Sequence, residues 1–298
     1  MDFVNDTTFT LGSIPLCLKS RVLTKFTGEH GQRAELGENP VLPALQEDND
    51  YFRIADHSPR IISRQRLVLF RSLRLDFSRL ARMRIELDHV FVCTAPGAPE
   101  AEEFVRFGLR EGPPNRHPGQ GTANRRFAFA NAMIELLWVN DAEEAQSECS
   151  RPTQLWERWS GRQGKASPFG ICVRPVDSQN TESPFPAWRY RPSYIPDPLV
   201  MHLGEAGVEE PMWVYLGFMR RFDREQRFVE HPIGICEITS LALTTPVPLR
   251  STASQSMVEN GILSSQNGPI TLLEIEFDGK RRKEIVDFRP HLPVVFQL

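Results

Sequence analysis

The chain has 298 residues, 40% hydrophobic and 24% charged, with 19 Gly and 24 Pro, a composition that excludes collagen, coiled coil and low-complexity disorder. A net charge of -3 and a pI near 6.2 argue against a general nucleic-acid binder, whose footprint is strongly basic. No run approaches the ~18 apolar residues of a membrane span. The polar, acidic opening MDFVNDTTFT lacks the basic start of a secretory signal. Cys17, Cys93, Cys149, Cys172 and Cys236 are scattered with no CxxC pair, which points to reduced thiols and a cytoplasmic setting.

Residues 1–82 read as an extension apart from the rest. They carry 12 Lys+Arg against 10 Asp+Glu, whereas residues 83–298 carry 23 against 28. Arg53 to Arg84 holds nine arginines with only Asp56 and Asp76. The favoured reading is a poorly ordered or peripheral arm; a docking surface for an acidic partner is the other.

From Met83 the pattern sharpens. Ile85 to Cys93 is rich in β-formers and ends at the turn Ala95-Pro96-Gly97. Pro99 to Leu109 reads as a short helix with glutamates in its first turn. Arg126–Ala130 and Ala132–Val139 read as strands around Asn131, with a further short strand near Leu109–Glu111. Asp141 to Gly161 looks helical, with Trp156 and Trp159 as core anchors. Pro168–Arg174 and Met212–Phe218 read as strands on either side of a Pro-rich aromatic stretch. Gly234–Pro246, a helix within Pro248–Gly261, and strands at Ile270–Phe277 and Glu284–Phe288 repeat the first outline. The expected fold class is therefore α+β: module one at 84–140 and module two at 231–298, each βαβββ, with a strand-bearing insertion at 141–230. Neither module covers both faces of its sheet alone, so pairing is the natural solution, within one chain or across a homodimer.

LDHVFV (Leu87–Val92) and HPGQGTANRRFAFANAMIELLWV (His117–Val139) resemble the glyoxalase-like domains of the vicinal oxygen chelate superfamily. PFGICVRP, WRYRPSY, HPIGICEITSLALTTP and DFRPHLPVVF also look like it. The resemblance covers about Met83 to Leu298. It implies mixed sheets curled around a shared cavity and, commonly, a divalent metal held by the first and last strands of each module. Carried over, the metal ligands are His89 and Glu135, with Glu135 also a candidate general base. Period two places each on an otherwise apolar face, His89 with Leu87, Phe91 and Cys93, and Glu135 with Met133, Leu137 and Val139. A buried carboxylate needs a metal, a cation or a proton. Imidazole plus carboxylate suits zinc, iron, nickel or manganese. The other reading is a plain polar pair, His89 with Glu135, or Glu135 with Arg125. The second module departs from the pattern: Ser240 stands where His89 does, and Asp287 is the nearest carboxylate for a third ligand. His231 and His202 are further imidazoles.

His117, Gln120, Asn124 and Arg125 form a polar loop and strand start that either contacts substrate or only shapes a turn. Trp188, Tyr190 and Tyr194 either line an entrance or pin the insertion to the sheets. The leading expectation is a metal-dependent enzyme acting on a small carbonyl, hydroxy or diol compound, with a metal-free small-molecule binding protein as the alternative. A third reading is an interaction module that docks through Arg53–Arg84.

Overall fold

The computed structural model describes residues 84–176, 182–221 and 230–298. The expected extension over 1–82 lies outside the described residues, as does most of the arginine run. The rest is mostly β, in two mixed sheets that do not close on themselves.

The first sheet begins with β1 (Ile85–Cys93), followed by α1 (Ala101–Phe107), β2 (Asn115–His117), β3 (Thr122–Ala128) and β4 (Met133–Val139). The expected helix over 141–161 is broken into α2 (Ala142–Ala145), a 3-10 turn at Arg151–Thr153 and α3 (Leu155–Ser160). Pro152 supplies no backbone donor, and Gln154 takes a left-handed φ of 55° that no continuous helix accepts. Then come β5 (Phe169–Pro175), β6 (Ala187–Tyr190), β7 (Met201–Gly204) and β8 (Met212–Tyr215). The eight strands lie in the order β2-β3-β4-β1-β5-β8-β7-β6.

That order repeats. β4 runs parallel beside β1, with β3 and β2 outside it; β8 runs parallel beside β5, with β7 and β6 outside it. The two halves join through the antiparallel pair β1–β5, so they meet within one chain. The strand order of the first unit thus recurs over 169–215, inside the stretch expected to be an insertion.

Residues 231–298 build something else. β9 (Ile238–Thr245), α4 (Thr252–Glu259), β10 (Ser264–Asn267), β11 (Leu272–Phe277), β12 (Ile285–Asp287) and β13 (Val294–Gln297) give a sheet in the order β10-β9-β11-β13-β12. This is not the order of the first unit, so the expected βαβββ pattern at 231–298 is corrected. The misreading has a physical source: β6, β7, β10 and β13 are four residues each, too short to show a period.

The two sheets share one core. Val90, Val92, Ile134, Leu136, Ile171 and Trp213 from the first pack with Leu241, Leu243, Leu273, Ile275 and Phe296 from the second. Phe104 of α1 joins them, its ring centroid 5.2 Å from Phe127, 4.8 Å from Phe288 and 5.0 Å from Phe296. Asn131 ties the sheets at the backbone: its amide donates to the Ile238 carbonyl at 2.7 Å and its side-chain oxygen accepts the Ile238 N–H at 3.0 Å.

α4 is fixed to the first sheet's far half by Glu210. The carboxylate accepts the N–H of Arg250 (2.7 Å) and Ser251 (3.0 Å) and the Ser251 hydroxyl (2.6 Å), while Ser251 caps the helix through the Ser254 N–H. Burial pushes the Glu210 carboxyl up, but the Ser251 hydroxyl and these N–H donors outweigh it and hold the group below its ordinary value. A depressed carboxylate stabilises the fold above the unfolded-state value, and the contribution is lost as pH falls through the folded value. Glu210→Gln is therefore expected to cost about 1–3 kcal/mol at neutral pH. The deficit in urea unfolding should shrink below about pH 4.

Candidate functional site

A bulge decides what faces the site. The β1–β5 register runs Leu87 opposite Val173, then His89 opposite Cys172, so Asp88 is the extra residue. Leu87 consequently packs toward the shared core with Val90 and Val92, rather than beside His89 as strict alternation predicts. His89, Phe91 and Cys93 turn to the other face. Register places Glu135 there beside Phe91, followed by Arg126, Asn124 and His117 across β3 and β2.

Phe91 can lie across β5 because its partner there is Gly170. A Cβ at that position would sit 2.0 Å from the Phe91 ring. Gly170→Ala is thus expected to push the ring off the strand and cost about 1–3 kcal/mol of stability by overpacking. A melting temperature equal to the parent's would disprove this contact.

His89 is held by a buried chain of charges. Its Nδ1–H donates to Asp88 Oδ1 at 2.6 Å, and Asp88 Oδ2 accepts from Arg174 Nη1 at 2.7 Å. Arg174 also donates to Glu86 at 2.9 Å and to the Asn131 carbonyl at 2.7 Å. Cys172 is the residue opposite His89 on β5, and its thiol interacts with the ring. Burial opposes a charge on the imidazole, but Cys172, Glu135 and Asp88 more than offset it and hold His89 well above 6.5. Burial also raises the Cys172 thiol, against the pull of His89. The two groups are coupled, each favouring the charged form of the other.

His117 is the opposite case. Burial lowers its pKa, with His89 and Arg126 adding to the effect and Glu135 opposing it. The neutral ring lies 2.9 Å from Thr122 Oγ1 through Nδ1 and 3.3 Å from the Asn115 amide nitrogen through Nε2. An amide nitrogen only donates, so Nε2 accepts and Nδ1 carries the proton. Gln120 is engaged at both ends of its amide, donating to Thr122 Oγ1 at 2.8 Å and accepting the Tyr194 hydroxyl at 3.1 Å. It therefore places Tyr194, whose ring stacks on His117 with centroids 4.8 Å apart. Burial raises the phenol well above 10, and Tyr190, Glu135 and Cys172 add to this, so it stays a neutral donor.

The turn carrying His117 is shaped by Gly121, at φ 73°, where a Cβ would meet the Asp141 carbonyl at 2.3 Å. Glu144 of α2 accepts the N–H of Gly119 and of Gly121. Those glycines serve backbone geometry.

Glu135 stands at the centre. It is 7% exposed and interacts electrostatically with His89, His117, Tyr194 and Cys172. Among the described residues its carboxylate accepts no hydrogen bond. Two neighbouring strand positions away, Asn124 is fully buried and both its amide atoms lack a partner, an unusual state for a buried amide.

The structure thus brings His89, Glu135, His117, Gln120 and Asn124 to one face. Trp188 and Tyr190 share it in the far half of the sheet, packed with Leu203, Met212 and Val214. Two expected residues are elsewhere. Arg125 points to the opposite face, opposite Leu136, with its guanidinium committed to Glu111 and Glu102. Asp287 lies on β12 of the second sheet, paired with Arg289. Ser240 is exposed. His231 accepts the Arg110 N–H between the sheets. Neither proposed polar pair for Glu135, with His89 by hydrogen bond or with Arg125, is formed. Sequence reasoning missed Asp88, Cys172 and Arg174. The one signal was Arg174, a charge at the end of an apolar strand.

The donor set does not fit a divalent metal. Asp287 is in the other sheet, and His89 Nδ1 is committed to Asp88. Among the described residues no three His, Cys, Asp or Glu side chains are arranged to hold one ion, against the three protein ligands a catalytic ion commonly needs. No helix among the described residues is long and apolar enough to cross a membrane.

The chain is similar to a solved structure titled as a hypothetical protein from Staphylococcus aureus, with 13% identity, 71% of this chain and 98% of that one covered, and a TM-score of 0.41. No curated protein matches. The family model described as a glyoxalase-like domain matches residues 87–257, from β1 into α4 and more than half of the sequence. The chain belongs to the glyoxalase-like domain family, within the vicinal oxygen chelate superfamily.

Proposed function

We propose that the Glu135 face binds a small carbonyl or hydroxy compound and that Glu135 moves a proton on it. The observation that carries this reading is a nearly buried carboxylate without a hydrogen bond, set beside a cationic imidazole. Desolvating a carboxylate without partners costs several kcal/mol, so a nearly buried one that faces no protein donor is placed to act on a ligand.

The roles follow from the protonation states. Glu135 removes a proton from the carbon next to a carbonyl. The negative charge that develops on the oxygen is met by the His89 imidazolium and by the Tyr194 hydroxyl, whose one proton turns from Gln120 Oε1 to the ligand. Asp88, backed by Arg174, keeps the His89 ring oriented and charged. No metal takes part in this reading.

The test follows hydrogen exchange. The protein is incubated in D2O with dihydroxyacetone and related hydroxy ketones, and loss of the C–H signal next to the carbonyl is read by NMR. Exchange by the parent that disappears in Glu135→Gln supports the reading. Exchange that persists in Glu135→Gln sinks it. Binding without exchange leaves a sequestration protein using the same face, and exchange that tracks stoichiometric bound metal restores the metal-dependent alternative.

A further inference from the structure

The far half of the first sheet holds a cavity of about 220 Å³, lined by Arg158, Trp188, Leu203, Ala206 and Met212 among others. It is smaller than the ~300–1,000 Å³ of a drug-sized site. Trp188, Leu203 and Met212 come from β6, β7 and β8 and give it an apolar floor. Arg158 comes from α3 and is 2% exposed.

The arginine is incompletely satisfied. Its Nη1 donates to the carbonyls of Ser167 and Val208 at 3.0 Å each, and to that of Glu210. Nε is buried with no partner. Among the described residues Nη2 makes no hydrogen bond and no carboxylate forms an ion pair with the guanidinium. The three carbonyls fix one corner of the fork and leave the Nε–Nη2 edge free, the edge that takes a carboxylate side-on with two parallel bonds. A buried cation without a counter-ion is costly, and burial draws Arg158 down to about 10.

We propose that this cavity is a second binding site, for a small organic carboxylate with a flat apolar body. The carboxylate pairs with the Nε–Nη2 edge of Arg158, and the body lies against Trp188, Leu203 and Met212. A neutral amide of the same shape lacks the charge to pair with the guanidinium and puts an N–H where an acceptor is needed. The exposed Glu205 beside the cavity disfavours a second negative charge on the ligand.

Calorimetric titration of the full chain with benzoate and with benzamide tests this, with tryptophan fluorescence as a second readout. Benzoate is expected to bind saturably and at least about tenfold more tightly than benzamide, the equivalent of one charge-assisted hydrogen bond. Arg158→Lys keeps the charge but not the fork and should weaken benzoate by a similar factor. Ala206→Leu fills the cavity from a half-buried position, leaves the contacts of Arg158 alone, and should abolish binding; it decides the matter if Arg158→Lys does not fold. No saturable benzoate binding at millimolar concentration, equal affinity for benzoate and benzamide, or parent-like affinity in Ala206→Leu overturns the proposal.

Discussion

Replacing Arg174 with Met is expected to cost about 3–5 kcal/mol of stability, the largest loss of any single change away from the apolar core. Arg174 and Asp88 are both 0% exposed. The guanidinium donates to Asp88, to Glu86 and to the Asn131 carbonyl, so its removal leaves the buried Asp88 carboxylate with His89 alone and frees the residue that latches the two sheets. Burial raises the Asp88 carboxyl, but His89 and Arg174 outweigh it and hold the group below its ordinary 3.8. A depressed carboxylate stabilises above the unfolded-state value and loses that contribution as pH falls through the folded one. The Arg174→Met deficit should therefore be full at neutral pH and narrow toward pH 3. Adding Asp88→Asn to Arg174→Met should recover part of it, since a buried amide costs less than a buried charge that has lost one of its two partners. Urea unfolding of the parent, both single variants and the double variant measures this. A single-variant loss below about 1 kcal/mol, or additive losses in the double, would mean the ion pair is not the buried link described.

How much of this the sequence discloses depends on chain distance. Ile85–Cys93, Met133–Val139 and Leu272–Phe277 are legible because each alternates or runs apolar long enough to show its period. His89 and Glu135 are legible as a shared site because each interrupts an apolar face with a polar group. Cys172 is not legible, because only the β1–β5 pairing puts it against His89, and nothing local in GICVRP marks that pairing. Asp88 is hidden for a related reason: strict alternation assigns it to the core face, and the bulge that makes it a ligand of the His89 ring leaves no mark in LDHVFV. Pattern alone points to a repeat later in the chain than the one the strand order shows. Gly234–Pro246 imitates Ile85–Pro96 in its strand-and-turn pattern, whereas the strands that repeat the first unit's order, β6 and β7, are short and embedded in a Pro-rich stretch. Asp287 failed as a ligand because matching patterns do not imply matching sheets.

Glu135→Gln is expected to reduce turnover about 10²–10⁴-fold, the usual worth of a placed general base, while leaving the fold intact. The amide is nearly isosteric and no hydrogen bond to the carboxylate is lost with it, so the change acts on charge and proton affinity. Those reach His89 directly. Glu135 is among the groups that hold His89 above 6.5, so the imidazole of the variant should titrate lower than the parent's, toward its ordinary value. For His117, Glu135 opposes the lowering caused by burial, and its ring should also move down. Histidine proton resonances followed by NMR across pH 4–9 report both shifts without any substrate. Tyr194→Phe removes only one donor and should cost roughly tenfold in turnover, with a smaller change at His89. If turnover falls in Glu135→Gln but both histidines titrate as in the parent, the carboxylate works on the ligand alone and His89 is not its electrostatic partner. If both histidines shift while hydrogen exchange is untouched, Glu135 sets the charge of the pocket and another group moves the proton.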